Sequence, residues 1–206
     1  MKDIILVGFG GHAKSIADSI EQTGEYRIVG YTEQRECDTS GKYDYLGTDD
    51  VLKEYFSKGV KYAAICVGYL GKGTIRNRLY SELKTIGFEL PVIIDPSAIL
   101  AKKVFIGEGT FIGKGAVINA EARVDEMCII NTKALIEHEC RVEPFVHVAV
   151  GATLCGSVTV KQQSFIGANS TIIQGVTIGQ ECVVGAGAIV LKDVQEGKII
   201  CGVYKG

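Results

Sequence analysis

The sequence predicts a small α/β unit followed by a parallel β-helix, and three observations carry that prediction. Between residues 94 and 194 the chain repeats in sixes: every sixth residue from Ile94 to Val190 is aliphatic, and the residue four places after each is no larger than valine. Ahead of this array, short apolar runs alternate with stretches of helical periodicity. The first of those runs ends in a glycine-rich turn, Gly8-Phe9-Gly10-Gly11-His12-Ala13. Neither a 3.6-residue helix nor a plain hairpin sheet produces a sustained period of six. A parallel β-helix does, because each unit of six is one short strand plus one corner, with the aliphatic and small residues both pointing inward. Three units close a triangular coil of about eighteen residues, which gives roughly five coils stacked about 4.8 Å apart.

The boundaries follow: residues 1–93 form the α/β unit and residues 94–206 the β-helix. In order, Asp3 to Gly8 reads as a buried strand, and Ala13, Ile16, Ala17 and Ile20 mark one face of a helix. Tyr26 to Tyr31 is a second strand, and Asp49 to Phe56 a short helix that Thr48 could cap. Tyr62 to Val67 is a third strand, ending at Gly68. Thr74 to Ile86 is a helix stopped by Gly87, and Leu90 to Ile94 a strand handing over to the hexads. Strands alternating with helices imply a small parallel sheet, Rossmann-like but one mononucleotide unit in size.

Composition narrows the function. A net charge of −2 over 206 residues provides no electrostatic footprint for nucleic acid or an anionic membrane. No apolar run approaches the ~20 residues of a membrane span, and the N-terminus enters directly into a strand, which argues against a signal peptide. The seven cysteines (Cys37, Cys66, Cys128, Cys140, Cys155, Cys182 and Cys201) are odd in number, scattered and without a C-x-x-C pair, so a reducing cytoplasm is expected. Cys128, Cys140 and Cys182 occupy the small inward slot, where a thiol is a compact filler.

Two places could carry chemistry. In the glycine turn, backbone N–H groups at a helix start suit a phosphate; Ala13 takes the third fingerprint position, and Glu33 lies about twenty residues on, where a ribose ligand would stand. The competing reading is a purely structural turn, and His12 at its mouth, which packing does not require, favours the ligand. In the array, His138 falls near a coil edge, with Gly156 eighteen residues later on the adjacent coil. An imidazole base beside a glycine backbone N–H suits acyl transfer, with Glu139 or Glu137 holding the tautomer. His147 is expected at a corner. The alternatives are surface histidines on a solenoid, or a metal site; an open zinc site takes three protein ligands, and the array has only His138 and His147. A nicotinamide oxidoreductase would need a second α/β half, and a non-catalytic scaffold is the remaining alternative.

Taken together, strand–GxGGHA–helix, a small α/β unit and an array carrying Asn131-Thr132 and Ile136-Glu137-His138-Glu139-Cys140 resemble the sugar acyltransferases of the sialic acid O-acetyltransferase (NeuD) type, including PglD-type UDP-4-amino-sugar N-acetyltransferases. The resemblance implies a left-handed helix and a homotrimer with active sites between copies. It implies acetyl-CoA as co-substrate, no metal, and transfer to a nucleotide-activated amino sugar in glycan assembly, with sialic acid O-acetylation as the alternative. By resemblance His138 is the general base and Glu139 its carboxylate, while His147, Gly156, Ala168 and Ala186 contact the coenzyme. Gly10, Gly11, His12 and Gly68 bind substrate, and Asn131 lies toward the sugar. Glu33 and Gln34 replace the family's frequent Asp-Asp pair, and the chain ends in Gly202-Val203-Tyr204-Lys205-Gly206 where the family often has Gly-Val-Pro-Ala-Lys.

Overall fold

The structure, a computed structural model, describes residues 1–69 and 74–206. Contacts divide them into two compact units, one of residues 1–68 and 74–93, the other of Tyr69 and residues 94–206.

In the first unit, β1 (Lys2–Val7), β2 (Tyr26–Thr32), β3 (Tyr45–Gly47) and β4 (Tyr62–Ile65) form one parallel sheet in the order β3-β2-β1-β4. Ile4, Ile5 and Leu6 of the central strand are fully buried, as expected where helices cover both faces. Helix α1 (Gly11–Thr23) buries Ala13, Ile16, Ala17 and Ile20, the stripe its periodicity marks, and ends at Gly24 in the left-handed conformation. Three expectations shift. The segment after Thr48 splits into a 3-10 turn (Asp49–Val51) and α2 (Leu52–Ser57), and the Thr48 hydroxyl donates to the Asp50 carboxylate (3.1 Å) and caps no helix. β4 stops at Ile65, two residues early, because its partner β1 ends at Val7; beyond the pairing the buried Arg76 guanidinium takes the carbonyls of Ile65 (3.3 Å) and Val67 (2.7 Å). Arg76 projects from α3 (Thr74–Ile86), which has the predicted bounds. Strand β3, three residues long, is too short to leave a periodic signal.

The second unit is a parallel β-helix of two-residue rungs on three faces. Ile93–Ile94 is its first rung, so the strand expected at 90–94 belongs largely to the array. Two faces carry seven strands and the third five, more than the roughly five coils expected. Rungs pair with those eighteen residues on, such as Leu135 with Thr153 and Ile136 with Leu154. The prism is filled by the hexad aliphatics and small residues, fully buried through its middle and partly open at Ile94, Leu100 and Ile106. Polar residues in the small slot satisfy themselves on the backbone: Thr110 Oγ1 donates to Asp125 O (2.8 Å) and accepts from Cys128 N (3.0 Å), and Ser164 does the same with Gly179 O and Cys182 N.

From residue 109 to residue 187 every corner turns on a residue with positive φ, and most are not glycine: Met127, Lys133, Glu139, Phe145, Ser157 and Gln163 lie at 58–60°. Such residues store a modest strain, of order 1 kcal/mol each, that the stacked coils over-determine. After Val190 the period of eighteen fails. Val194 bridges Ile178, Ile199–Ile200 pair with Val183–Val184, and Val203–Tyr204 pair with Ile189–Val190. The last coil is therefore contracted, the register being lost between Val190 and Val194.

Candidate functional site

Rungs Leu135–Ile136 and Arg141–Val142 lie on adjacent faces of the prism, and the corner between them carries Glu137, His138 and Glu139. His138 is exposed, and its imidazole lies against Gly156 of the next coil: a Cβ built on Gly156 would sit 2.6 Å from both Cε1 and Nε2. Glycine is required there by close approach, since any side chain would occupy the ring's place. Glu139 turns its carboxylate back so that Oε2 is 3.1 Å from His138 Nδ1. A carboxylate can only accept, so Nδ1 is the donor of this pair, and in a neutral imidazole Nε2 then keeps its lone pair, the form a general base needs. Both side chains are more than half exposed (58% and 59%), so the pair adds little to stability and acts on orientation.

Of the two candidate carboxylates, the structure brings Glu139 to the ring. Glu137 accepts the His138 backbone N–H (3.2 Å) and an Asn119 Nδ2–H (2.9 Å) instead. Sequence reasoning missed Asn119 and Ser157, whose hydroxyl donates to the Glu139 Oε2 that faces the imidazole (3.3 Å). Both were within reach of the eighteen-residue rule, since Asn119 precedes Glu137 by one coil and Ser157 follows Glu139 by one.

His147 requires a correction. It sits within a rung, His147–Val148, and not at a corner, and it is only 7% exposed. Its Nδ1 lies 3.0 Å from the Tyr69 carbonyl, and its ring packs against Tyr69 and edge-on to Phe165. The Tyr69 hydroxyl donates to the carbonyl of Phe145, with that of Ser164 3.3 Å away, holding that aromatic cover in place. Asn131, Ala168 and Ala186 share a different edge, the one that follows the His147 face, so within one chain they do not meet His138. Asn131 Oδ1 accepts the Thr132 N–H (2.8 Å), and Ala186 is exposed while Ala168 is half-buried. Among the described residues no group of three or more His, Cys, Asp or Glu is placed to hold a metal ion.

The first unit holds its own crevice, at the carboxyl ends of β1, β2 and β4 where the strand order reverses, the usual ligand position in an open parallel sheet. A cleft of about 330 Å³ is lined there by Gly8, Thr32, Glu33, Gln34, Asp49 and Arg78, among others. Gly10 is the N-cap of α1 and Gly11 its first residue. The His12 side chain packs beside Gly68, whose Cβ would lie 3.6 Å from that of His12. Gly8 has φ +91°, and a Cβ there would strike Val67 at 2.7 Å. The Glu33 carboxylate is engaged locally: it accepts the N–H of Phe9 (3.0 Å) and of Gln34 (2.8 Å). Its demonstrable work is to tie β2 to the glycine turn. Thr32 Oγ1 donates to Asp49 (2.6 Å), which brings a second carboxylate to the cleft that sequence reasoning did not single out.

Comparison with known proteins agrees with this anatomy. Residues 3–83 match the PglD N-terminal domain family, and residues 158–192 match the hexapeptide repeat of succinyl-transferase. UDP-N-acetylbacillosamine N-acetyltransferase of Bacillus subtilis (strain 168) is 32% identical over 113 residues, 54% of this chain and about half (51%) of that protein's length. The acetyltransferase domain of PglB from Neisseria gonorrhoeae superposes with a TM-score of 0.91 at 28% identity, covering 98% of this chain and 97% of that one. PerB from Caulobacter crescentus, solved in complex with CoA and GDP-perosamine, superposes with a TM-score of 0.87 at 29% identity, covering 97% and 93%. The resemblance to PglD-type sugar acyltransferases read from the sequence is borne out, as is the fold: an α/β domain followed by a left-handed β-helix.

Proposed function

We propose that this chain is an acetyltransferase that moves the acetyl group of acetyl-CoA onto the amino group of a nucleotide-activated sugar. The observation that carries the reading is His138, held at a prism edge by Glu139 with Nε2 left as acceptor over Gly156. The relatives support it: the PglB acetyltransferase domain was solved with acetyl coenzyme A, and PerB with CoA and GDP-perosamine. In the proposed reaction the sugar amine attacks the thioester carbonyl and His138 Nε2 takes the proton that the nitrogen sheds. The Gly156 N–H stabilises the tetrahedral oxyanion, the C–S bond breaks, and CoA leaves as the thiol after receiving a proton from the imidazolium. No protein nucleophile is needed, because the acceptor itself attacks. Gly10, Gly11, His12 and Gly68 would bind the nucleotide end, with Gln34 at the cleft wall and Asn131 toward the sugar. His147, Ala168 and Ala186 would contact the coenzyme in a groove between copies of a homotrimer. The reading places the enzyme in the cytosol; among the described residues no disulfide joins its cysteines, and no helix is long and apolar enough to cross a membrane.

The test is thiol release from acetyl-CoA with GDP-perosamine, with a UDP-4-amino sugar and with sialic acid, the acetylated product read by mass spectrometry. His138→Ala should lower kcat by about 10²–10⁴-fold, the usual contribution of a positioned general base. An unchanged rate removes His138 from that role. Release only with sialic acid would transfer the reading to O-acetylation.

A further inference from the structure

Resting on that reading, we propose that Ser157 is a positioning residue: its hydroxyl holds the Glu139 carboxylate in the orientation that fixes the His138 tautomer. Three contacts from one coil to the next define the arrangement. The Ser157 hydroxyl donates to Glu139 Oε2 (3.3 Å), the same oxygen that faces His138 Nδ1 at 3.1 Å. The Ser157 backbone N–H donates to the His138 carbonyl (2.8 Å). The preceding residue, Gly156, leaves the space in which the ring lies. The coil above thus grips both members of the pair, one through a hydroxyl and the other through backbone and an absent Cβ.

The grip answers a physical difficulty. Glu139 and His138 are both more than half exposed, and a long exposed carboxylate beside water spends its time in many rotamers. Without a second restraint the imidazole would exchange its Nδ1–H and Nε2–H forms, and only the first leaves Nε2 able to take a proton. A donor from a rigid, stacked coil supplies that restraint, on the scale of a single hydrogen bond. Ser157 and Glu139 both sit at left-handed corners, φ 60° and 59°, so their backbones are fixed by the coil geometry and only the side chains remain to be ordered.

The test reads the tautomer directly and needs no substrate. Long-range ¹H–¹⁵N correlation spectra of the imidazoles, with His138 assigned by its loss in His138→Ala, should show His138 as the Nδ1–H form in the parent protein. In Ser157→Ala and in Ser157→Gly it should become a mixture of the two forms. The glycine variant relaxes the corner, so a loss shared by both variants belongs to the hydroxyl and not to backbone strain. In the acetyl-transfer assay both should lower kcat by about threefold to tenfold at unchanged KM for acetyl-CoA. Ser157→Ala should have no further effect when Glu139 is already alanine. An unaltered His138 tautomer in Ser157→Ala overturns the proposal even if the enzyme proves active. An effect that persists without Glu139 also overturns it, by assigning Ser157 a direct contact of its own. Loss of the tautomer preference in a protein without acetyl transfer would uphold the positioning role and overturn only the enzymatic reading.

Discussion

The two units position their functional groups by different physics. In the β-helix, a residue's neighbours are set by arithmetic: eighteen residues on, the chain returns to the same edge, and Asn119–Glu137, His138–Gly156 and Glu139–Ser157 are all such pairs. In the α/β unit the crevice gathers Gly8, Glu33, Asp49 and Arg78 from separate elements, and no repeat connects them. The repeat makes a site easy to locate and its scaffold rigid, while the sheet edge makes one that depends on loop paths. The same contrast orders the expected responses to mutation.

The largest effect should come from the prism core. Leu154 is fully buried among other hexad aliphatics, and Leu154→Ala should cost about 3 kcal/mol in urea unfolding, because stacked coils cannot collapse into the cavity. A loss below about 1 kcal/mol would show that the coils relax as readily as loops.

Next comes Gly156→Ala. Its Cβ would overlap the far end of the His138 ring, which can swing aside, so stability should hardly move while the proposed acetyl transfer falls by about 10²-fold. Equal losses of stability and activity would mean that the ring is packed as core.

In the α/β unit, burial pushes the Cys66 thiol up from 9.0 to about 12, partly offset by the nearby Arg76 charge. Folded Cys66 keeps its proton after the unfolded chain has lost it. Its contribution to stability is therefore intact below about pH 9 and declines as pH rises from there toward 12. Urea midpoints should fall between pH 8 and pH 10.5, and less so in Cys66→Ala; equal slopes would exclude that thiol as the cause.

Thr48→Ala marks the small end. A helix cap would make it cost about 1 kcal/mol, but its hydroxyl reaches only the Asp50 carboxylate, so the change in unfolding free energy should stay within about 0.5 kcal/mol.

Legibility tracks the same division. Helix α3 has the bounds its periodicity marks, and the hexad aliphatics from Ile112 to Val190 all lie inside the prism. The stacking of His138 on Gly156 follows from the period alone. His147 defeated the same reasoning: its hexad place says that it faces outward, but its burial comes from Tyr69, a residue far away in sequence. Glu33 was legible as a residue near the glycine turn but not as one whose two oxygens are already engaged by backbone N–H groups. The burial of His147 and the two engaged oxygens of Glu33 both arise where a side chain meets a partner that no local pattern encodes.

By itself, then, the order of residues determined the prism, its period, the parallel α/β unit and the corner on which an imidazole stands. Those features rest on local alternation and on a repeat whose inward face must exclude water, and such constraints are written into every hexad. Only the tertiary structure decided which carboxylate turns toward His138, that a serine one coil away donates to it, that an arginine takes the carbonyls at the end of β4, and that the final coil contracts. These depend on side-chain directions and on contacts between distant segments, where alternatives differ by about a kilocalorie and the packed whole selects among them.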